Sequence, residues 1–231
     1  MGSHQARRGP PGLRLGVRES GHAFTLRDAR PGDLPALYHV CLRTADHGRD
    51  GEPFYRDDPD AAGRIFVGPY LAFEPELAVV LEDDEGVCGY AFGALDSRSF
   101  YARYDREWRP GLCAQFPLPQ GDPATWTRAQ VLHSWYHRPS YFCPEPYEAY
   151  PSHLHIDLLE RAQGRGHGRR MMEEVMARLR ERGSPGLHLG VSALNEPALG
   201  FYARLGFREV VRTGTAADGT VYLVRRLVAP A

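Results

Sequence analysis

The segment Arg161-Ala-Gln-Gly-Arg-Gly-His-Gly168 constrains this chain more than any other. It lies between a strand-like run, His153 to Leu159, and an amphipathic helical stretch reaching about Arg182. Glycines at 164, 166 and 168 let the backbone turn tightly and bring amide groups against an anion, while the helix that follows aims its positive dipole end at the same point. Such a loop also serves simply to pack a helix close to a sheet. Either way it dictates a β-turn-α unit. A P-loop is excluded, because G-x-x-x-x-G-K-[ST] is missing and the chain contains no lysine. The spacing also differs from the dinucleotide fingerprint G-x-G-x-x-G.

A chain of 231 residues without a Pro/Ser-rich linker fits one core, preceded by an arm over 1–21 that is rich in Gly, Pro and Arg. Net charge is −1, which gives no general pull toward nucleic acid or membrane. No apolar run approaches the roughly 18 residues of a membrane span, and the first residues lack a signal-peptide centre. A cytoplasmic protein is expected. Cysteines 41, 88, 113 and 143 form no C-x-x-C pair and read as reduced thiols.

From Phe24 a strand is expected, then a helix capped by Asp33 with Leu34, Leu37, Tyr38 and Cys41 on one face. A short helix follows at about Asp60 to Val67. Leu77–Leu81 and Val87–Leu95, joined by Glu82-Asp-Asp-Glu-Gly86, form a β-hairpin. Residues 97–151 are a helical, aromatic-rich insertion: Phe100, Tyr104, Trp108 and Leu112 recur every four positions, Trp126, Ala129, Leu132 and Trp135 every three. Met172, Val175, Met176 and Leu179 mark the core face of the helix after the loop, and Gly183 stops it. Leu187, Leu189 and Val191 alternate as a strand, a helix carries Tyr202, and Phe207–Val211 with Val221–Leu227 close the sheet. The fold class is α/β on a mixed sheet.

Gln163-x-x-Gly166-x-Gly168, followed by Leu187-His-Leu-Gly-Val-Ser-Ala-Leu-Asn195 and Ala198-Leu-Gly-Phe-Tyr-Ala-Arg-Leu-Gly-Phe207, resembles the GNAT acetyltransferase superfamily. The resemblance implies a mixed, mostly antiparallel sheet flanked by helices, the insertion preceding the cofactor-binding strand, with residues 22–231 as one domain. From Phe24 onward, including Val80-Leu-Glu-Asp-Asp-Glu-Gly-Val-Cys-Gly-Tyr90 and the aromatic insertion, the chain is similar to the acetyltransferase-like C-terminal domain of O-GlcNAcase. That animal domain has a degraded cofactor loop, whereas Gln163, Gly166 and Gly168 are kept here, so a free-standing bacterial relative is implied.

What the resemblance implies for the site is specific. Acetyl-CoA is the acetyl donor. Backbone groups of Ile156, Leu158 and Leu159 hold the pantetheine, the Leu158 amide takes the thioester oxygen, and Gln163, Gly164, Arg165, Gly166, His167, Gly168 and Arg169 cradle the pyrophosphate. Asn195 matches a residue that bonds the pantetheine arm, although asparagine is equally a good helix N-cap. Tyr202 matches the acid that protonates the departing thiolate, against the alternative of a core aromatic. The base is drawn from Asp157, His155 and His153, which share one strand face by period-two alternation. A metal is not expected, despite His133 and His137 at helical spacing. Two functions compete: N-acetyl transfer to a small-molecule amine or peptide acceptor, and a non-catalytic module recognising a protein or peptide. Exposed sheet edges suggest a homodimer.

Overall fold

The computed structural model describes residues 15–19, 22–215 and 219–227. Eight strands form one sheet in the order β1-β2-β3-β4-β5-β6-β8-β7. They are β1 Leu15–Glu19, β2 His22–Asp28, β3 Ala78–Asp83, β4 Gly86–Ala94, β5 Ser152–Leu158, β6 Gly186–Ser192, β7 Arg208–Thr213 and β8 Thr220–Arg226. Every neighbouring pair is antiparallel except β5 and β6. Within the stretch 1–21 expected as an arm, Leu15–Glu19 pairs with β2 as an edge strand. Backbone pairing, which needs no apolar alternation, recruits it. Residues 1–14 lie outside the described residues.

Both faces of the sheet are covered, so β3 reads as a nearly continuous apolar run rather than an alternating one. Val79 and Leu81 pack with Met171, Met172, Val175 and Leu179 of α7 (His167–Glu181). Ala78 and Val80 face the opposite layer with Leu37, Val40 and Cys41 of α1 (Leu34–Thr44) and Tyr90 and Phe92 of β4. Asp33 does not cap α1 through its carboxylate. That group accepts from the Arg30 amide (2.7 Å) and grips Arg27 (2.7 and 2.9 Å), because a cationic partner outbids a neutral amide. The short helix expected at about Asp60 to Val67 is α2 (Gly63–Phe66), and a further, unexpected helix, α3 (Gly68–Phe73), follows Val67.

In the insertion, α4 (Ser97–Arg103), a π-helical turn (Tyr104–Trp108) and α5 (Arg109–Gln115) run on continuously. A four-residue repeat would drift off one face of an α-helix; the wider π turn keeps Phe100, Tyr104 and Leu112 buried together. Then α6 (Arg128–His137) starts with a Thr127/Gln130 capping box. Here the expected stripe fails at both ends, since Trp126 precedes the helix and is only half-buried. Trp135 is 46% exposed while Tyr136 is buried and donates to the Ala61 carbonyl (2.9 Å). Ala129, Leu132 and Tyr136 follow the 3.6-residue period more closely than a strict three-residue repeat does. At the far edge, β7 is exposed along its length.

Candidate functional site

The site begins where two strands part. The parallel pair β5–β6 is joined only at Ser152↔Leu187 and His153↔His188, after which β5 continues on β4 and β6 on β8. A wedge therefore opens between Leu154–Leu158 and Leu189–Ser192. The Leu159 amide donates back to the Cys88 carbonyl (2.8 Å) on the β4 side. By alternation along an antiparallel ladder, the amides of Leu158 and Ile156 point the other way, into the wedge. The Leu158 carbonyl accepts from the Gln163 side-chain amide (2.8 Å). Gln163 thus shapes the mouth of the wedge by tying loop to strand.

The glycine loop closes that mouth. Gly166, left-handed at φ 80°, precedes the first residue of α7, whose opening amides have no acceptors within the helix. Gly168 faces α8 (Glu196–Arg204): a Cβ there would lie in van der Waals contact, 3.4 Å, with the Phe201 ring, leaving no room for a large side chain. Arg161 anchors the start of the loop on Asp83 of the β3–β4 hairpin (2.7 and 3.3 Å), a carboxylate with 1% side-chain exposure. The His167 ring is buried against Phe24 (4.4 Å), which leaves only its backbone facing the loop. Arg169 is exposed beside Glu173 (3.5 Å), and Arg165 lies over Phe24 at 5.8 Å.

On the α1 face of β5 the three candidate bases occupy different surroundings. His155 and Asp157 meet at 3.1 Å with side chains 28% and 21% exposed. Tyr90, fully buried on β4, donates to Asp157 Oδ2 (2.5 Å) and lies 3.1 Å from His155 Nε2. Burial pushes the thiol pKa of the neighbouring Cys41 up, and the Asp157 charge pushes it further the same way. Phe66 stacks on His155 at 5.4 Å. His153 lies deeper. Its Nδ1 is 2.7 Å from Ser97 Oγ, Tyr101 stacks on its ring at 5.0 Å, and burial holds its pKa well below the usual imidazole value. It is a neutral core histidine, too enclosed to meet an incoming amine.

Tyr202 is buried, edge-on to Phe207 at 5.5 Å, rather than lining an open cleft. Burial raises its pKa, and the Asp157 charge raises it further. Asn195 caps α8, accepting from the Ala198 amide (3.2 Å), with its amide group over Gly48. His133 turns to Asp58 (2.7 Å) and His137 to the Phe116 carbonyl (2.8 Å), so they do not converge on one point. Cys41, His155 and Asp157 bring ligand atoms within 4.8 Å of one another. The Tyr90 hydroxyl already engages two of them, Asp157 and His155. Tyr90 and Cys41 went unrecognised in the sequence because strand and helix periodicity marks both as core, as they are; only the pairing register discloses Tyr90 opposite Asp157.

Comparison with known proteins places this geometry in context. The model of the Acetyltransferase (GNAT) family matches residues 47–207. Protein O-GlcNAcase of Rattus norvegicus is 29% identical over 205 residues, covering 88% of this chain but 22% of that protein, so the chain spans about a fifth of it. Streptothricin acetyltransferase of Streptomyces lavendulae is 28% identical over 223 residues, with 91% and 97% of the two chains covered. The crystal structure of SsHAT superposes with a TM-score of 0.80 at 39% identity, covering 89% of this chain and 99% of that one.

Proposed function

Because this chain belongs to the GNAT acetyltransferase family, we propose that it transfers the acetyl group of acetyl-CoA to an amine of a small molecule or peptide. The observation that carries this reading is the wedge between β5 and β6, with two inward amides along one wall and a glycine loop with a helix N-terminus at its mouth. The loop and the opening of α7 would hold the pyrophosphate. The pantetheine would run inward past Leu158 and Ile156, whose amides are donors for its carbonyls and for the oxyanion of the tetrahedral intermediate. When bound, the cofactor supplies an activated acyl group.

The chain's own residues handle protons. An ammonium acceptor must shed one before it can attack, and the exposed His155–Asp157 pair is positioned to receive it. The pair passes that proton to water, and as the C–N bond forms and the C–S bond breaks it takes the second proton from the nitrogen while the sulfur gains one. Tyr202, kept protonated by its surroundings, supplies the latter. Its burial suits a donor that must not ionise between turnovers. Asn195 would combine helix capping with a contact to the pantetheine arm.

The test is calorimetric titration with acetyl-CoA, followed by thiol release over a panel of amines. Gly168→Trp, with folding checked by circular dichroism, crowds the loop against Phe201 and should abolish saturable binding. A folded wild type that binds no acetyl-CoA would refute the reading. Binding without transfer to any amine would favour the non-catalytic module.

A further inference from the structure

The proton inventory around Tyr90 decides which atom of the His155–Asp157 pair acts as the base. A phenol carries one hydrogen, and that of Tyr90 is committed to Asp157 Oδ2 at 2.5 Å. What the hydroxyl presents to His155 Nε2, 3.1 Å away, is a lone pair. Asp157 Oδ2, also 3.1 Å from the imidazole, presents another. An unprotonated Nε2 would face two acceptors and no donor, so the neutral ring must carry its hydrogen on Nε2. Nδ1 is then the basic atom. Nδ1 has no hydrogen-bond partner among the described residues, and the side chain is 28% exposed beneath Phe66.

We infer that Nδ1 of His155 accepts the proton of the attacking amine, and that Tyr90 is the positioning residue that fixes the required tautomer. This rests on the transferase reading and identifies the base within it. The proton leaves the acceptor nitrogen for Nδ1; the new N–H is balanced by the Nε2–H already shared between Tyr90 and Asp157, whose negative charge stabilises the imidazolium. Asp157 touches no substrate. The arrangement is rigid because Tyr90 is fully buried and its ring stacks on Phe92 at 4.5 Å. The titratable groups facing His155 are Asp157 and His153 on its own strand, Tyr90 from β4 and Cys41 from α1, whose sulfur lies within 4.8 Å of ligand atoms of His155 and Asp157.

The test joins a readout that needs no turnover to one that does. Long-range nitrogen spectra of the full chain labelled at histidine, assigned with His155→Gln, give the tautomer at pH 8. The Nε2–H form is expected; a dominant Nδ1–H form overturns the inference. In acetyl transfer, His155→Gln should lower kcat about 10²- to 10⁴-fold with acetyl-CoA affinity kept. Tyr90→Phe leaves Asp157 to act on the imidazolium undiluted, so the acid limb of kcat/KM should move to higher pH and the loss relative to wild type should shrink as pH rises. An unmoved acid limb, or a loss equal at every pH, overturns the role of Tyr90. Transfer together with an Nδ1–H ring sinks the base assignment alone. An Nε2–H ring with no transfer to any amine sinks the transferase reading, and the base assignment with it.

Discussion

Replacing Arg161 with methionine tests how the cofactor loop is anchored, and its cost can be worked out from the geometry. Asp83 is 1% exposed at its side chain, and Arg161 covers it with contacts of 2.7 and 3.3 Å. Losing one partner of a buried ion pair costs about 3–5 kcal/mol, mostly from the charge left behind. Here the Glu85 amide still donates to Asp83 Oδ1 at 2.9 Å, and Arg161 itself is 32% exposed, so the cost falls at or just below the bottom of that range, about 2–3 kcal/mol. For a chain of 231 residues this lowers Tm by about 4–12 °C at neutral pH. The sign with pH follows from burial. A buried carboxylate without its cation has a raised folded-state pKa, so the deficit is full above that value. It shrinks as pH falls toward the unfolded pKa of about 3.9, where both states are protonated. Urea unfolding of both proteins across pH 4–8 measures it. A deficit under about 0.5 kcal/mol, or one that grows on acidification, would show that Arg161 is not compensating Asp83.

Tyr202→Phe should lower kcat by at least about tenfold while leaving acetyl-CoA affinity by calorimetry within about twofold, because only the proton donor is lost. Asn195→Ala should cost about 1 kcal/mol by removing the cap on Ala198, with Asn195→Ser restoring stability. If Asn195 also holds the pantetheine arm, the serine variant should still bind acetyl-CoA more weakly than wild type by calorimetry. Tyr136→Phe, which strips the partner from the Ala61 carbonyl beneath α6, should cost about 1–2 kcal/mol in urea unfolding.

The elements that sequence made legible are those in which one periodicity operates alone. Met172, Val175, Met176 and Leu179 form a buried α7 face because a surface helix has a single apolar stripe to place. Leu187, Leu189 and Val191 are likewise buried. Legibility failed where tertiary partners override local pattern: at Asp33, which Arg27 captures, at Trp135 against Tyr136, and at β1, recruited through its backbone. Alternation correctly put His153, His155 and Asp157 on one strand face. It could not rank them, because their difference is depth: Tyr101 and Ser97 of the insertion enclose His153, and Phe66 leaves His155 at the rim. Tyr90 illustrates the remaining limit, since nothing local distinguishes a core tyrosine from one whose hydroxyl settles a proton inventory across a strand pair.

The two proton-handling groups are coupled, which bears on the order of events. Asp157 raises the Tyr202 pKa because a carboxylate nearby disfavours a phenolate. Before the amine arrives, burial and the Asp157 charge together make Tyr202 hold its proton most firmly. Once the imidazole has taken the amine's proton, the pair is neutral overall and the phenol becomes a stronger acid. That change comes when the thiolate begins to leave, so removal of the proton from nitrogen favours delivery of a proton to sulfur, in that sequence. The coupling is measurable without substrate: Asp157→Asn, which removes the charge and keeps the shape, should bring the Tyr202 pKa down, read from the carbon spectrum of ring-labelled tyrosine. An unchanged Tyr202 titration would mean that the two sites act independently, and nothing in their arrangement would then order the two transfers.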